Sequence, residues 1–148
     1  IINYSKIDYQ YLCDYNNDPS DSRFTPYSIG TTKAVLGSVA CTIDAVDLLL
    51  KGSNCFALTR PPGHHAGSDY SRGICYFNNA VIVAMEIISR GHTVSIIDFD
   101  IHHGDGTQKL LCDTNIKFSS IHEDPSSPYS KIKETGFFSN NASNIFNL

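Results

Sequence analysis

A chain of 148 residues falls within the size of one domain and is long enough to bury a hydrophobic core. Hydrophobic residues make up 41% of it, charged residues 18%, and eight Tyr with eight Phe supply bulk, which excludes a polar disordered chain. A net charge of −4 with scattered Lys and Arg excludes a basic phosphate-binding face, and neither a bilayer-length apolar run nor a leader pattern is evident, so nucleic acid and membrane are not expected partners.

Residues 1–27 carry Tyr, Asn and Asp with Pro19 and Pro26 and no sustained period, which predicts mostly loop. Over 31–51, Val35, Val39, Ile43, Val46 and Leu50 recur at spacings of three and four, and Gly52 follows as a stop, which predicts an amphipathic helix. The apolar run 55–58 ends at Arg60-Pro61-Pro62-Gly63 and predicts a buried strand entering a loop. Val81, Ala84, Ile87 and Ile88 predict a second helix over 79–90, stopped by Gly91. The β-branched run in 94–99 predicts a strand covered on both faces, 106–111 a short helix, and 116–121 a third strand. Alternating strands and helices imply a parallel α/β sheet, whose ligands bind beyond the carboxyl ends of the strands. The stretch 137–148 reads as an Asn-rich tail without a cap, and with Ile1 in first place both ends look cut.

Cys13, Cys41, Cys55, Cys75 and Cys112 are odd in number and contain no CxxC pair, so a reduced, intracellular setting in nucleus or cytoplasm is expected rather than a disulfide framework. Asn3-Tyr4-Ser5 and Asn141-Ala142-Ser143 match the glycosylation pattern and read as chance matches.

Four of the six histidines lie in two pairs, His64-His65 after the first predicted strand and His102-His103 after the second. The second pair lies in the segment from Asp98 to Gly106, with Asp98, Asp100 and Asp105 around it. In an extended segment Asp98, Asp100 and His102 share one face, with Phe99 and Ile101 turned into packing on the other. Carboxylates held this close call for a compensating cation, and carboxylate oxygen with neutral imidazole suits zinc. Asp100 and His102 are therefore the expected ligands, with Asp98 and Asp105 placed to orient imidazoles. His103 is expected to support the loop rather than to bind metal, and His92 to lie on the surface.

These motifs are recognisable. Arg60-Pro61-Pro62-Gly63-His64-His65-Ala66, with the segment from Asp98 to Gly106, resembles the histone deacetylase superfamily, which also holds acetoin-utilisation proteins and acetylpolyamine amidohydrolases. Gly73-Ile74-Cys75-Tyr76-Phe77-Asn78-Asn79 and Ser120-Ile121-His122 are similar to two further family segments, and the likeness runs over about 18–136, with a class II-like cast at Asp105-Gly106-Thr107 and His122-Glu123-Asp124-Pro125. The resemblance implies a three-layer arginase/deacetylase-type α/β fold, incomplete at its C-terminus, so that 1–148 forms the N-terminal part of a catalytic domain.

It further implies Zn²⁺, with Fe²⁺ as the alternative, on Asp100 and His102, and catalytic couples His64 with Asp98 and His65 with Asp105. A structural K⁺ is implied on the carbonyls of Asp98, Asp100 and His102 and the Ser120 hydroxyl, and a substrate channel at Gly73 and Ile74. The implied activity is hydrolysis of the acetyl amide of acetyl-lysine in histone tails or other proteins, with corepressor-type partners. Hydrolysis of acetylpolyamines and a catalytically silent module are the alternatives. Three departures stand out. Ile74 replaces a usual Phe, residues 129–136 replace a Tyr-Pro-Gly-Thr-Gly loop, and neither the later Asp that supplies the third metal ligand nor the Gly-Gly-Tyr motif that supplies the oxyanion-stabilising Tyr occurs.

Overall fold

The computed structural model describes residues 25–124, 126 and 143–148. The predicted loop up to residue 24, Cys13, both glycosylation-like triplets in whole or part, and the altered loop 129–136 lie outside the described residues.

The first helix, α1 (Thr31–Leu50), buries Val35, Val39 and Val46 of the predicted stripe together with Ser38, while Ile43 is half-buried and Leu50, at its end, is exposed. The second, α2 (Asn79–Ser89), starts where the Asn78 side chain accepts the Val81 amide hydrogen, and it buries Val81, Ile82, Ala84 and Ile87. Gly52 and Gly91, just past the two helices, take φ values of 91° and 84°, which end a helix at little cost only in glycine.

The strands are β1 (Ser95–Asp98), β2 (Lys117–Ser120) and β3 (Ile145–Asn147), with the short helix α3 (Asp105–Leu111) crossing between the first two. All pairing is parallel, in the order β1-β2-β3, with Asp98 beside Ser120 and Ser120 beside Asn147. Phe118 and Leu111 are fully buried and pack with Val81, Ala84 and Ile116, while Val94, Ile96, Leu110 and Ile145 close the edges. A parallel sheet covered by helices is thus the architecture, with α2 and α3 against the strands and α1 against α2.

Three expectations are corrected. Residues 55–58 carry no strand: Phe56 and Leu58 are 88% and 85% exposed, because no described strand lies beside them to accept a ladder. Second, β1 is covered on one face only, since Ile96 packs into the core while Ile97 remains 65% exposed. Third, the end of the Asn-rich stretch is a strand rather than a tail. Asn144 donates its amide hydrogens to the carbonyls of Leu111 and Ile116, and its own carbonyl receives the Phe118 amide, which seats Ile145 on the core. No helix among the described residues is long and apolar enough to cross a membrane, and Cys41, Cys55, Cys75 and Cys112 are free thiols.

Candidate active site

Both histidine-bearing loops meet at the carboxyl end of β1. The loop after residue 60 is pinned by close backbone approach: a side chain at Gly63 would meet the Phe77 carbonyl at 2.4 Å, and one at Gly106 the Ala66 carbonyl at 2.5 Å. The Thr107 amide donates to the His64 carbonyl at 3.0 Å. Asn78 ties the same two loops together through its side-chain amide, which donates to Thr107 Oγ1 at 2.9 Å and to the Ala66 carbonyl at 3.3 Å.

Within this junction His64 Nδ1 lies 2.9 Å from Asp98 Oδ2, and His65 Nδ1 lies 2.6 Å from Asp105 Oδ1. The two imidazole rings stand 4.0 Å apart, and that of His102 is 6.1 Å from His65. A side chain at Gly104 would strike Asp98 Oδ2 at 2.3 Å, so glycine is what lets the acid of the first couple sit where it does. Each Nδ1 facing a carboxylate leaves Nε2 as the nitrogen able to exchange protons.

Beyond Asp98 the chain does not continue as an extended strand. Asp98 Oδ1 accepts the Asp100 amide at 3.1 Å and Asp100 Oδ1 accepts the His102 amide at 2.8 Å, two successive turns closed by Asp side chains. The alternation expected of this segment is therefore corrected: Phe99 and Ile101 are 83% and 61% exposed rather than packed. Asp100 and His102 still face one another, with side chains 50% and 39% exposed, and His64 Nε2 is 4.0 Å from Asp100 Oδ1.

Asp100 Oδ1 and His102 Nδ1 are 3.1 Å apart. Zinc bonds of about 2.0–2.2 Å in a tetrahedral shell set ligand atoms about 3.3–3.6 Å from one another, so this carboxylate and imidazole fit one ion after parting by a few tenths of an ångström. Among the described residues no group of three or more His, Cys, Asp or Glu side chains is placed to hold a metal. Of the groups tied by resemblance to potassium, Asp98 and Ser120 are register partners, the Asp98 carbonyl takes the Ile121 amide, and Ser120 Oγ is 2.9 Å from His122 Nδ1.

The charges follow the geometry. Burial pulls the His64 pKa down, but the hydrogen bond and charge of Asp98, backed by Asp100 and Asp105, outweigh it and hold the group above its ordinary value. Burial pushes Asp98 up, and His64 more than reverses this; Asp105 likewise ends below the usual carboxylate range through His65 and Arg72. Burial, backed by the charges of Asp105, Asp100 and Asp98, pushes the Cys75 thiol up to about 12, so it stays protonated beside the site. His103 is buried with Nε2 against Gln108 Oε1, in keeping with its expected supporting place, and burial keeps it below its ordinary pKa. His92 is exposed, as expected.

Gly73 and Ile74 line one cavity with His64, His65, Asp100 and His102. Gly73 has φ 51° and its α-carbon rests on the His65 ring, where a side chain would come within 2.7 Å of Cδ2. One contact that the sequence did not announce is Arg72, whose Nη1 donates to Asp105 Oδ2 at 3.1 Å. It sits in a polar loop among Ser and Asp residues, where nothing in spacing or periodicity marks it.

The histone deacetylase domain model matches residues 4–147. The chain is 42% identical over 108 residues to the acetylpolyamine amidohydrolase of Mycoplana ramosa, covering 71% of this chain and 32% of that protein. It is 39% identical over 100 residues to histone deacetylase 6 of Caenorhabditis elegans, covering 62% and 10%. Among solved structures it is similar to the HDA15 HD domain, with 32% identity, 72% and 31% coverage and a TM-score of 0.67. It is also similar to the deacetylase homologue from Aquifex aeolicus, with 26% identity, 86% and 35% coverage and a TM-score of 0.72. The expected arginase/deacetylase-type fold is the fold of these neighbours, and the chain spans about a third of the length of the first curated relatives it matches.

Proposed function

The chain belongs to the histone deacetylase family, and from that premise we propose that it forms the N-terminal part of a zinc-dependent deacetylase acting on the acetyl amide of acetyl-lysine in histones or other proteins. The observation that carries this reading is the pair of His–Asp couples, at 2.9 and 2.6 Å, side by side over Asp100 and His102.

Asp100 and His102 would hold Zn²⁺, or Fe²⁺ in its place. Bound zinc would supply a Lewis acid for the acetyl carbonyl and for water. His65, its Nδ1 fixed by Asp105, would take a proton from the attacking water at Nε2. His64, kept above its ordinary pKa by Asp98, would deliver a proton to the departing amine. Each such proton transfer typically contributes about 10²- to 10⁴-fold. Gly73 and Ile74 would line the acyl-lysine channel, and the carbonyls of Asp98, Asp100 and His102 with Ser120 Oγ would hold a structural K⁺. Corepressor-type partners in nucleus or cytoplasm belong to the same reading.

Two other readings have specific support. The Mycoplana ramosa relative at 42% identity is an acetylpolyamine amidohydrolase, which favours acetylpolyamines as substrate. The absence of a third ligand group among the described residues favours a silent module. Zinc analysis with parallel hydrolysis assays on an acetyl-lysine peptide and an acetylated polyamine separates them. Acetate released from the peptide, and lost in both H64A and H65A, supports the deacetylase. Release from the polyamine alone supports the amidohydrolase, and neither zinc nor acetate supports the silent module.

A further inference from the structure

Residues 72–75 form a tight two-residue turn whose ends are bonded both ways. The Arg72 amide donates to the Cys75 carbonyl at 3.0 Å and the Cys75 amide to the Arg72 carbonyl at 2.8 Å. Its central residues, Gly73 and Ile74, have φ 51° and 60°, the signature of a type I′ turn. Glycine adopts this freely; a β-branched side chain there is a strained outlier that persists only where its surroundings over-determine it. The turn lies against the His65–Asp105 couple, while Ile74 itself is 49% exposed. A side chain at Gly73 would come within 2.7 Å of His65 Cδ2, and Arg72, one residue back, reaches the far oxygen of the acid that holds the same ring.

Asp105 therefore has one oxygen on His65 Nδ1 at 2.6 Å and the other on Arg72 Nη1 at 3.1 Å. A carboxylate held at a single oxygen can rotate about its last torsion, whereas one held at both cannot do so without breaking an ion pair. The side chains of His65, Arg72 and Asp105 are 6%, 20% and 17% exposed, so water does not readily replace either partner. The second couple is built differently. The other oxygen of Asp98 takes the backbone amide of Asp100, a main-chain donor where Asp105 has the Arg72 side chain.

We infer that Arg72 is a positioning residue for the His65 couple: the strained 72–75 turn confines the His65 ring at its Cδ2 side through Gly73 and at its Nδ1 side through the Arg72–Asp105 ion pair. The role rests on the proposed function insofar as His65 exchanges a proton with substrate water. The clamp itself is a property of the chain without metal or substrate.

Histidine-ring ¹H–¹⁵N spectra of the full metal-free chain test it, with His64 as internal control because its Nδ1 hydrogen is held by Asp98 independently of Arg72. The wild type should show protected Nδ1–H signals for both His64 and His65. In R72A and R72Q the His65 signal should be lost to exchange with water while that of His64 remains, and R72K should restore the His65 signal. An unchanged His65 signal in R72A and R72Q, or loss of both histidine signals in both variants, overturns the clamp. Because no acetyl substrate enters this experiment, absence of deacetylation would overturn the proposed function and leave the clamp standing, and the reverse also holds.

Discussion

Gly104→Ala should break the His64–Asp98 couple without altering either residue. The added carbon would lie 2.3 Å from Asp98 Oδ2 and 3.4 Å from His64 Nδ1, so the carboxylate must leave or the loop before α3 must shift. The φ of Gly104 is −76°, which alanine adopts without strain, so the effect reports the contact and not the backbone. A hydrogen bond to a charged group contributes about 1.5–3 kcal/mol, and the 18% and 13% exposure of the two side chains puts the expected loss near the lower end, about 1–2 kcal/mol.

The pH dependence fixes the assignment. The folded pKa of His64 is raised, so its contribution is full below about 6.5 and is lost as pH rises through the folded value; that of Asp98 is lowered, so its contribution is lost only as pH falls through an acidic folded value. Urea unfolding of wild type and G104A should therefore differ more at pH 6 than at pH 9, where only the hydrogen bond to neutral imidazole remains. Equal stability of the two proteins, or a difference that does not change with pH, would refute the couple.

Other outcomes follow from the packing. Phe118→Ala removes a fully buried ring from the cluster of Val81, Ala84, Leu111 and Ile116 and should cost about 3–5 kcal/mol in urea unfolding. Asn78→Ala removes the α2 cap and the bonds to Thr107 and Ala66 that join the two loops; about 2–3 kcal/mol should be lost, with the His64 and His65 ring signals broadened together. Because burial lowers the pKa of His103, its neutral form is the folded one, and its contribution should be full above about 6.5 and fall away as pH drops from there through the folded value. The acid-side loss of stability should be smaller in H103Q, measured by thermal unfolding across that range.

The helices were legible because a burial stripe leaves a periodic trace, in Val35, Val39 and Val46 for α1 and in Val81, Ala84 and Ile87 for α2. The site was legible because pairs of histidines and acids at predicted strand ends have few uses other than to face one another. What escaped was set by long-range partners. The run at 55–58 looks like a strand by composition, yet a strand exists only where a neighbour bonds to it. The Asn-rich end looks like a tail, yet the Asn144 side chain does the bonding that a hydrophobic pattern cannot reveal. The curl after Asp98 depends on side chains capturing amides two residues ahead, which a period-two reading treats as extended chain. Arg72 is a contact across thirty-three positions of sequence and has no local signature.

Zinc titration of the purified chain by calorimetry, repeated with D100N, H102Q and the exposed-site control H92A, tests the assignment of the ion most directly. Wild type and H92A should each bind zinc at one weak site per chain, and D100N and H102Q at none. Zinc binding that survives unchanged in both D100N and H102Q would contradict it.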